Sequence, residues 1–304
     1  MSAGLRTPVR RPLIFTHGFG RFDILIHLAR QCFPSPGGVR WFNRTIGDAL
    51  GYFRHVGRTL EERGFEVHEV ATALGGSLEG RAARLGRAVE RVLAPGDPQA
   101  KANIIAHSMG GLDARYMITR LRMADRVASL VTIGTPHLGS SFADWRLQDQ
   151  TLPRGIVTRL TAVGVNLTGL FDLTTTRCRE FCAAIEVAEA ANAVTYIAYA
   201  SVQEDREKVF WPLRRAWNVI REREGPNDGL VSVPSQLWRA ELRGATGTKR
   251  VEQREFPLPA DHLNQCGWWH PWTGPFSTRQ DFERTIRDVY VQIAEDLRAR
   301  GLYG

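Results

Sequence analysis

Short apolar runs alternate with amphipathic stretches along the first 140 residues of the chain. The apolar runs are short and end at polar or turn-forming residues, which is typical of strands, and the stretches between them have helical spacing. The predicted strands are Leu13–Thr16, Phe65–Ala71, Ala102–Ala106 and Val127–Ile133, and the predicted helices are Thr45–Arg63, Leu78–Leu93 and Gly111–Arg122. This alternation predicts a mostly parallel sheet with helices on both faces.

The alternation breaks after residue 140. Residues 141–192 carry apolar side chains in mixed loop and helical patterns and end in a predicted helix, Thr176–Ala191. An insertion at the carboxyl ends of sheet strands is where a cap or lid lies, so we predict one here. The alternative is that this segment only covers the sheet. A smaller insertion is predicted over residues 22–43, within a single domain that spans residues 1–304.

The rest of the pattern completes the predicted sheet. Two further strands are expected, Val194–Ala200 and Glu252–Pro257. Ser201–Arg223 is predicted to be a loop with several aromatic residues. Gln280–Arg300 has apolar residues at helical spacing and predicts a long amphipathic helix that closes the fold.

The composition is that of a globular protein. With 304 residues, 43% of them hydrophobic, the chain can bury a large core, and no apolar run reaches the roughly 20 residues that span a bilayer. No signal peptide is visible, which favours the cytoplasm unless a leader has been removed. The four cysteines match no zinc spacing, and no disulfide framework is expected at this size. A single disulfide between two of the four stays as an alternative.

The formal net charge of +8 is spread along the predicted helices as scattered arginines. Nucleic acid binding calls for a basic stripe within a recognisable module, and the sequence shows none, so we do not expect that partner. The scattered arginines are first of all expected to form a solvated basic surface, and the alternative is attraction to anionic interfaces or fatty-acid carboxylates.

A serine stands at the apex of a predicted strand–turn–helix over Asn103–Tyr116. In such a nucleophile elbow the main chain turns so tightly that bulky side chains two residues on either side of the serine would clash. Those positions around Ser108 are Ala106 and Gly110, and Ala106 departs from the usual glycine. The following helix points its N-terminus at the turn, where free N–H groups favour negative charge. The N–H of Met109 is therefore a candidate oxyanion donor.

A second candidate donor follows the first strand. The segment His17–Gly20 contains two glycines, which let the main chain turn sharply and approach a ligand closely. If this loop lies beside the Ser108 turn, the N–H of Phe19 supplies the second oxyanion contact.

A serine hydroxyl needs a nearby base, and the base needs a group that orients it. In an α/β-hydrolase sheet these residues occur in the order serine, acid, histidine, each on a loop after a strand. The chain offers Ser108, then Asp228, then His262, which predicts a Ser–His–Asp triad. Asp205 is the alternative acid, and Asp261 ranks lower because neighbouring side chains seldom orient one another.

Two further histidines have expected roles. His137 lies on the loop after a predicted strand and is a candidate pocket residue. His270 lies among Trp268, Trp269 and Trp272 and is expected to pack against those rings.

Five segments together resemble the bacterial-type triacylglycerol lipases of the α/β-hydrolase superfamily. They are Ile14–Gly20, Ile105–Tyr116, Ile133–Ser140, Asn227–Ser232 and Asp261–Asn264. The resemblance covers most of the chain in the right order. It implies an α/β-hydrolase fold and hydrolysis of carboxylic esters at a lipid–water interface, with Ser108, Asp228 and His262 as triad and Phe19 and Met109 as oxyanion donors.

Several of these lipases hold a structural calcium near the catalytic histidine, with an aspartate two residues after it. Here that position is Asn264, a neutral and weaker ligand for a hard cation. We therefore expect no calcium, and the sequence indicates no other metal or cofactor.

The sequence is compatible with three functions. The apolar Ser141–Phe171 part of the insertion favours a lipase for long-chain acylglycerols, because a lipid substrate requires an apolar trench. The alternatives are an esterase for short or soluble esters and a catalytically silent scaffold that binds a lipid or a partner. The intact Ser–Asp–His order argues against the silent scaffold.

Overall fold

The computed structural model describes residues 11–17, 53, 55–71, 76–93, 97, 99–148 and 171–303 of the chain. The strands are β1 Leu13–His17, β2 Val67–Ala71, β3 Ala102–His107, β4 Val127–Ile133, β5 Thr195–Ala200, β6 Glu241–Arg243, β7 Thr248–Arg250 and β8 Glu252–Glu255. The helices are α1 Val56–Glu62, α2 Leu78–Val92, α3 Gly110–Thr119, α4 Ser141–Gln148, α5 Thr175–Ala191, α6 Arg214–Arg223, α7 Val233–Leu237 and α8 Arg279–Ala299. Most of the predicted elements are therefore present.

Six strands form one sheet in the order β2-β1-β3-β4-β5-β8, and every neighbouring pair is parallel. The register aligns the carboxyl ends of the central strands, because His107 of β3 pairs with His17 of β1 and with Ile133 of β4. Loops that leave these strands consequently meet at one edge, where ligands bind in open α/β sheets.

Successive residues of each strand point to opposite faces, and each face has its own apolar core. Phe15, Ile105 and Val131 pack in the core that α1 and α8 cover. Ile14 and Ile104 pack in the core on the other face, beneath α2 and α3. The predicted layering of helices on both faces of a parallel sheet is confirmed.

The predicted loop Ser201–Arg223 is wrong in its second half, where α6 lies. Ala216 and Ile220 are one turn apart and buried, and this single apolar stripe holds the helix against the protein. The predicted helix Thr45–Arg63 is interrupted, since Phe53 and His55 have φ of 52° and 59°. Its earlier residues lie outside the described part of the chain.

A short hairpin, β6–β7, was not predicted. Its only buried apolar side chain is Leu242, so the strands carry too little alternation to be recognised. The final strand also ends at Glu255, two residues before the predicted end at Pro257.

The proposed cap keeps its flanking helices, α4 and α5, while residues 149–170 lie outside the described part. The 22–43 insertion also lies outside it, and both insertions stay predictions. No described helix is long and apolar enough to cross a bilayer. Among the described cysteines, Cys178, Cys182 and Cys266 are free thiols.

A buried ion pair joins the helix after Ser108 to α5. The guanidinium of Arg115 contacts both carboxylate oxygens of Glu189, at 2.8 and 3.0 Å, and neither side chain is exposed. Arg115 also lies 3.7 Å above the Trp238 ring and donates to Nδ1 of His137 at 3.2 Å. His137 therefore belongs to the core network and not to a pocket, contrary to expectation.

Replacing Arg115 with methionine should lower the free energy of unfolding by about 3–5 kcal/mol, because the Glu189 carboxylate would be left buried and unpaired. Urea unfolding followed by circular dichroism measures this loss. The matched control is Arg177→Met on α5, whose ion pair with Glu180 is exposed and 3.7 Å long. The control should change stability by less than about 0.5 kcal/mol, and equal losses in the two variants would contradict the role assigned to Arg115.

Candidate active site

Ser108 lies at the turn between β3 and α3, with φ of 57°. A serine in the left-handed region is strained, and it stays there only where its surroundings hold it. Its N–H donates to the Ile133 carbonyl at 2.9 Å, and its carbonyl accepts from the Thr135 hydroxyl at 2.8 Å and the Gly111 N–H at 3.1 Å. These three bonds fix the turn and leave the Ser108 hydroxyl at the carboxyl edge of the sheet.

Close packing explains the small residues around the turn. A Cβ at Gly111 would lie 2.2 Å from the Thr135 hydroxyl oxygen, so this position requires glycine. Ala106 is fully buried in β3, between Thr16 and Thr132 on the neighbouring strands. The alanine that departs from the usual motif is therefore accommodated within the sheet.

The imidazole of His262 lies between Ser108 and Asp228. Its Nε2 is 2.8 Å from the Ser108 Oγ, and its Nδ1 is 2.8 Å from the Asp228 Oδ2. A carboxylate only accepts, so Nδ1 carries the proton and Nε2 accepts from the serine hydroxyl. The His262 main-chain N–H also donates to the Asp228 carbonyl at 2.8 Å. The structure thus brings together the three side chains predicted from the sequence.

Asp228 is completely buried and is surrounded by hydrogen-bond donors. Its Oδ1 accepts from the N–H groups of Leu230 and Val231, at 2.9 and 2.8 Å. Its Oδ2 accepts from His262 and from the Gln265 amide, which is also 2.8 Å away. A buried carboxylate is tolerated when it is paired in this way, and the same bonds fix its orientation.

Sequence reasoning missed Gln265 and its neighbour Gly134. Gly134 has φ of 60°, and a Cβ there would lie 2.1 Å from the Gln265 side-chain oxygen. The spacing along the chain could have indicated Gln265, because it follows His262 by one turn. It lies within the 3₁₀ turn Asn264–Cys266.

The two alternative acids have other partners. Asp205 caps the 3₁₀ turn that follows it by accepting from the Glu207 N–H at 3.0 Å, and it pairs with Lys208. Asp261 is buried, and its two oxygens accept from the N–H groups of Leu263, Asn264 and Phe210 and from Nε2 of His270.

His270 packs among aromatic rings as expected, 5.3 Å from Phe210 and 6.0 Å from Trp272. Sequence reasoning missed its 2.8 Å contact with Asp261, the residue before His262.

The candidate oxyanion donors are described only in part. Met109 is buried and is the N-cap residue of α3, where the first N–H groups lack partners inside the helix. The helix dipole adds positive potential at this point. Phe19 lies outside the described residues, so its role stays a prediction.

A second histidine lies against His262. The ring of His107 is 4.7 Å from the His262 ring and fully buried. Burial lowers the pKa of His107 well below its usual range, and the neighbouring His262 and His17 lower it further. His107 therefore stays neutral at pH 7, and it adds no positive charge that would oppose protonation of His262.

A cavity of about 220 Å³ opens beside the Ser108 hydroxyl and His262. Its wall is mainly apolar, and one arginine, Arg146, contributes to it. The other lining residues are Pro136, Ser140, Phe142, Ala143, Leu173, Leu230 and Val231. A nucleophile that faces an apolar cavity suits a substrate with an apolar acyl group.

The residues near His262 do not fit a hard cation. The Asn264 amide donates to the Trp268 carbonyl at 2.9 Å and the Thr273 hydroxyl at 3.0 Å. Both oxygens of the nearby Asp261 are occupied by N–H donors. Calcium requires six to eight oxygen ligands, whereas these groups already bind one another. Within the described ranges, no cluster of acidic, histidine or cysteine side chains could hold a metal ion.

Known proteins resemble the chain in sequence and in fold. Residues 56–151 match the family described as PGAP1-like alpha/beta domain. Triacylglycerol lipase 2 of Saccharomyces cerevisiae is 29% identical over 97% of this chain and 93% of its own length. A triacylglycerol lipase of Pseudarthrobacter phenanthrenivorans is 34% identical over 50% of this chain, and the match spans about half (48%) of that protein.

Solved structures share the fold at low identity. Mature lipase BlEst2 of Bacillus licheniformis superposes with a TM-score of 0.57 and 15% identity, over 84% of this chain and 86% of that one. EstA from Clostridium botulinum gives a TM-score of 0.55 and 16% identity, over 94% and 89%. The strand order and these superpositions show the α/β-hydrolase fold, and the sequence likeness is to triacylglycerol lipases. The resemblance and fold class predicted from the five motifs are confirmed.

Gln265→Leu should lower kcat about ten-fold and leave KM nearly unchanged, because Asp228 would lose one hydrogen bond to a charged group, worth about 1.5 kcal/mol. Steady-state kinetics on a soluble p-nitrophenyl ester measures both constants. The control is Gln253→Leu, which removes an exposed glutamine bonded to the Leu237 carbonyl. Equal kcat values for the two variants would show that Gln265 does not position Asp228.

Proposed function

We propose that the protein is a serine hydrolase that cleaves carboxylic esters of apolar acyl chains, with triacylglycerol as its substrate. The observation that carries the proposal is the hydrogen-bonded line from Ser108 through His262 to Asp228, which opens on an apolar cavity. The names of the yeast and bacterial relatives support the same substrate class.

In the proposed acylation step, the Ser108 Oγ bonds to the ester carbonyl carbon while its proton passes to Nε2 of His262. Asp228 stabilises the resulting imidazolium through Nδ1. The N–H groups of Met109 and Phe19 bind the oxyanion that develops on the carbonyl oxygen. The bond to the alcohol then breaks, and Nε2 returns the proton to the leaving oxygen.

Deacylation repeats these roles with water. His262 accepts a proton from a water molecule as its oxygen bonds to the acyl carbon of the Ser108 ester. The bond to Oγ breaks, the proton returns to Ser108, and the free fatty acid leaves. The chain's residues thus supply the nucleophile, the base and the orienting acid, and no metal is required.

One observation favours a second candidate, an esterase for short acyl chains. The cavity beside Ser108 is about 220 Å³. This is below the range of about 300–1,000 Å³ usual for small-molecule pockets. A cavity of this volume suits a short acyl group better than a long one.

The proposed function predicts rising kcat/KM from p-nitrophenyl acetate to octanoate and longer chains, and release of fatty acid from emulsified trioctanoin. Ser108→Ala should lower kcat by about a million-fold. It should also abolish labelling by a fluorophosphonate, which forms an adduct on the nucleophile.

Thr132→Val is the matched control, because Thr132 is a buried hydroxyl bonded to His137. Labelling in this variant should persist. A sharp preference for acetyl over octanoyl would establish the short-chain esterase instead. If folded wild-type protein takes up no fluorophosphonate, the protein is a catalytically silent scaffold and not a hydrolase.

We also propose that the His262 loop is held by hydrogen bonds in place of a cation, as the bonds of Asp261 and Asn264 support. Dialysis against EDTA should then change neither kcat nor the melting temperature, and adding calcium should restore nothing. The His270→Ala variant should melt at a lower temperature, because Asp261 would lose a charge-assisted bond. Loss of activity in EDTA that calcium reverses would refute the proposal.

A further inference from the structure

We propose that an exposed face of tryptophans and arginines beside the cavity docks the protein on an anionic lipid surface. This tryptophan–arginine face consists of the exposed Trp211, Trp272 and Arg215 and the half-buried Trp145 and Arg214. The proposal rests on the proposed function, since it names the physical form in which a lipid ester is met.

Two of these tryptophans are unusually exposed for large aromatic side chains. Trp211 is 62% exposed and Trp272 is 43% exposed. Large apolar surface left in water marks a site of interaction. The tryptophan ring is also amphipathic, and it is enriched where the apolar and polar regions of a membrane meet.

Cation–π contacts make the face continuous with the mouth of the cavity. The guanidinium of Arg214 is 5.9 Å from the Trp272 ring. Arg215, the next residue, lies 4.5 Å from the Trp145 ring on α4. Trp145 in turn stacks on Phe142, at 5.7 Å, and Phe142 lines the cavity beside Ser108. Docking through this face would therefore bring the lipid surface to the cavity entrance.

The charge of the face selects an anionic partner. Residues 204–215 contain four basic and three acidic residues, and residues 262–280 contain one basic residue and no Asp or Glu. Lys208 is paired with Asp205. Glu207 is bonded to Arg206 and Arg214. Arg215 is exposed and forms no ion pair with another residue in the described ranges. Each such cation near an anionic leaflet strengthens binding about five-fold, which corresponds to about 1 kcal/mol.

The face is fixed to the loop that carries His262. The Phe210 N–H donates to Asp261 at 2.8 Å, and the Phe210 ring lies 5.4 Å from Trp268. Trp211 and Trp272 therefore project from two segments that are bonded to the residue before His262. A rigid face loses little conformational freedom on binding. This favours a planar partner such as a bilayer over a partner around which the protein would have to fold.

The test is co-sedimentation of the Ser108→Ala protein with vesicles, so that binding is measured without hydrolysis. Vesicles of phosphatidylcholine mixed with phosphatidylglycerol should bind the protein, vesicles of phosphatidylcholine alone should bind it much less, and added salt should weaken the binding. In the same background, the Trp211→Ala/Trp272→Ala double variant should bind about ten-fold more weakly. Arg215→Gln should bind about five-fold more weakly.

The control variant is Val187→Ser/Arg179→Gln, which removes an exposed apolar and an exposed basic side chain from α5, outside the face. It should bind like the parent. Equal binding of the two vesicle types, or equal binding by the aromatic variant and the control, would overturn the proposal. So would stronger binding to soluble polyglutamate than to the anionic vesicles.

Activity on a soluble p-nitrophenyl ester, measured in the wild-type background, separates this proposal from the proposed function. Trp211→Ala/Trp272→Ala should retain that activity, because neither side chain lines the cavity. If the wild-type protein sediments with anionic vesicles but hydrolyses no ester, the proposed hydrolase function is contradicted and the docking proposal is supported.

Discussion

The hydrogen bonds at both nitrogens of His262 are the constraint on which the rest of the site depends. Each bond is 2.8 Å long, one to the Ser108 hydroxyl and one to the Asp228 carboxylate. An imidazole with two ring nitrogens works as a base at Nε2 only while Nδ1 keeps its proton. Asp228 enforces this tautomer, and the four N–H groups that donate to it hold the carboxylate in place.

The sheet maintains this geometry because its strand ends are aligned and helices pack tightly behind them. Ser108 occupies a strained conformation because bonds to Ile133 and Thr135 on the next strand and its loop hold it there. The helix that begins behind Ser108 is fixed to α5 by the buried Arg115–Glu189 pair. Such a pair contributes little net stability because both charges lose their hydration, but losing one partner leaves the other charge buried and unpaired.

The surface and the site share a structural element. Asp261 accepts bonds from the segment that carries Trp211 and from His270, two residues before Trp272, and it directly precedes His262. A single buried carboxylate therefore organises the loop of the base and the exposed aromatic face. All the bonds that the Asp261 carboxylate accepts come from N–H groups, so hydrogen bonds hold the loop in place. Asn264, the position that corresponds to a calcium-ligating aspartate in the lipases that the sequence resembles, follows Asp261 by three residues.

Local patterns were sufficient for the sheet, the helices around it and the residues at Ser108, Asp228 and His262. Strand and helix periods are properties of neighbouring residues, and the order of the motifs follows from the fold. Elements with weak local signals were lost, such as α6, which is held by Ala216 and Ile220, and the hairpin around Leu242.

The sequence by itself thus determined the fold class and the chemical identity of the candidate triad. Only the tertiary structure decided the partners that have no local signal. It placed Gln265 on Asp228, His270 on Asp261, and Arg215 against Trp145. The reason is physical, because a hydrogen bond or a ring contact between distant segments depends on how the chain packs, and spacing along the chain does not encode it.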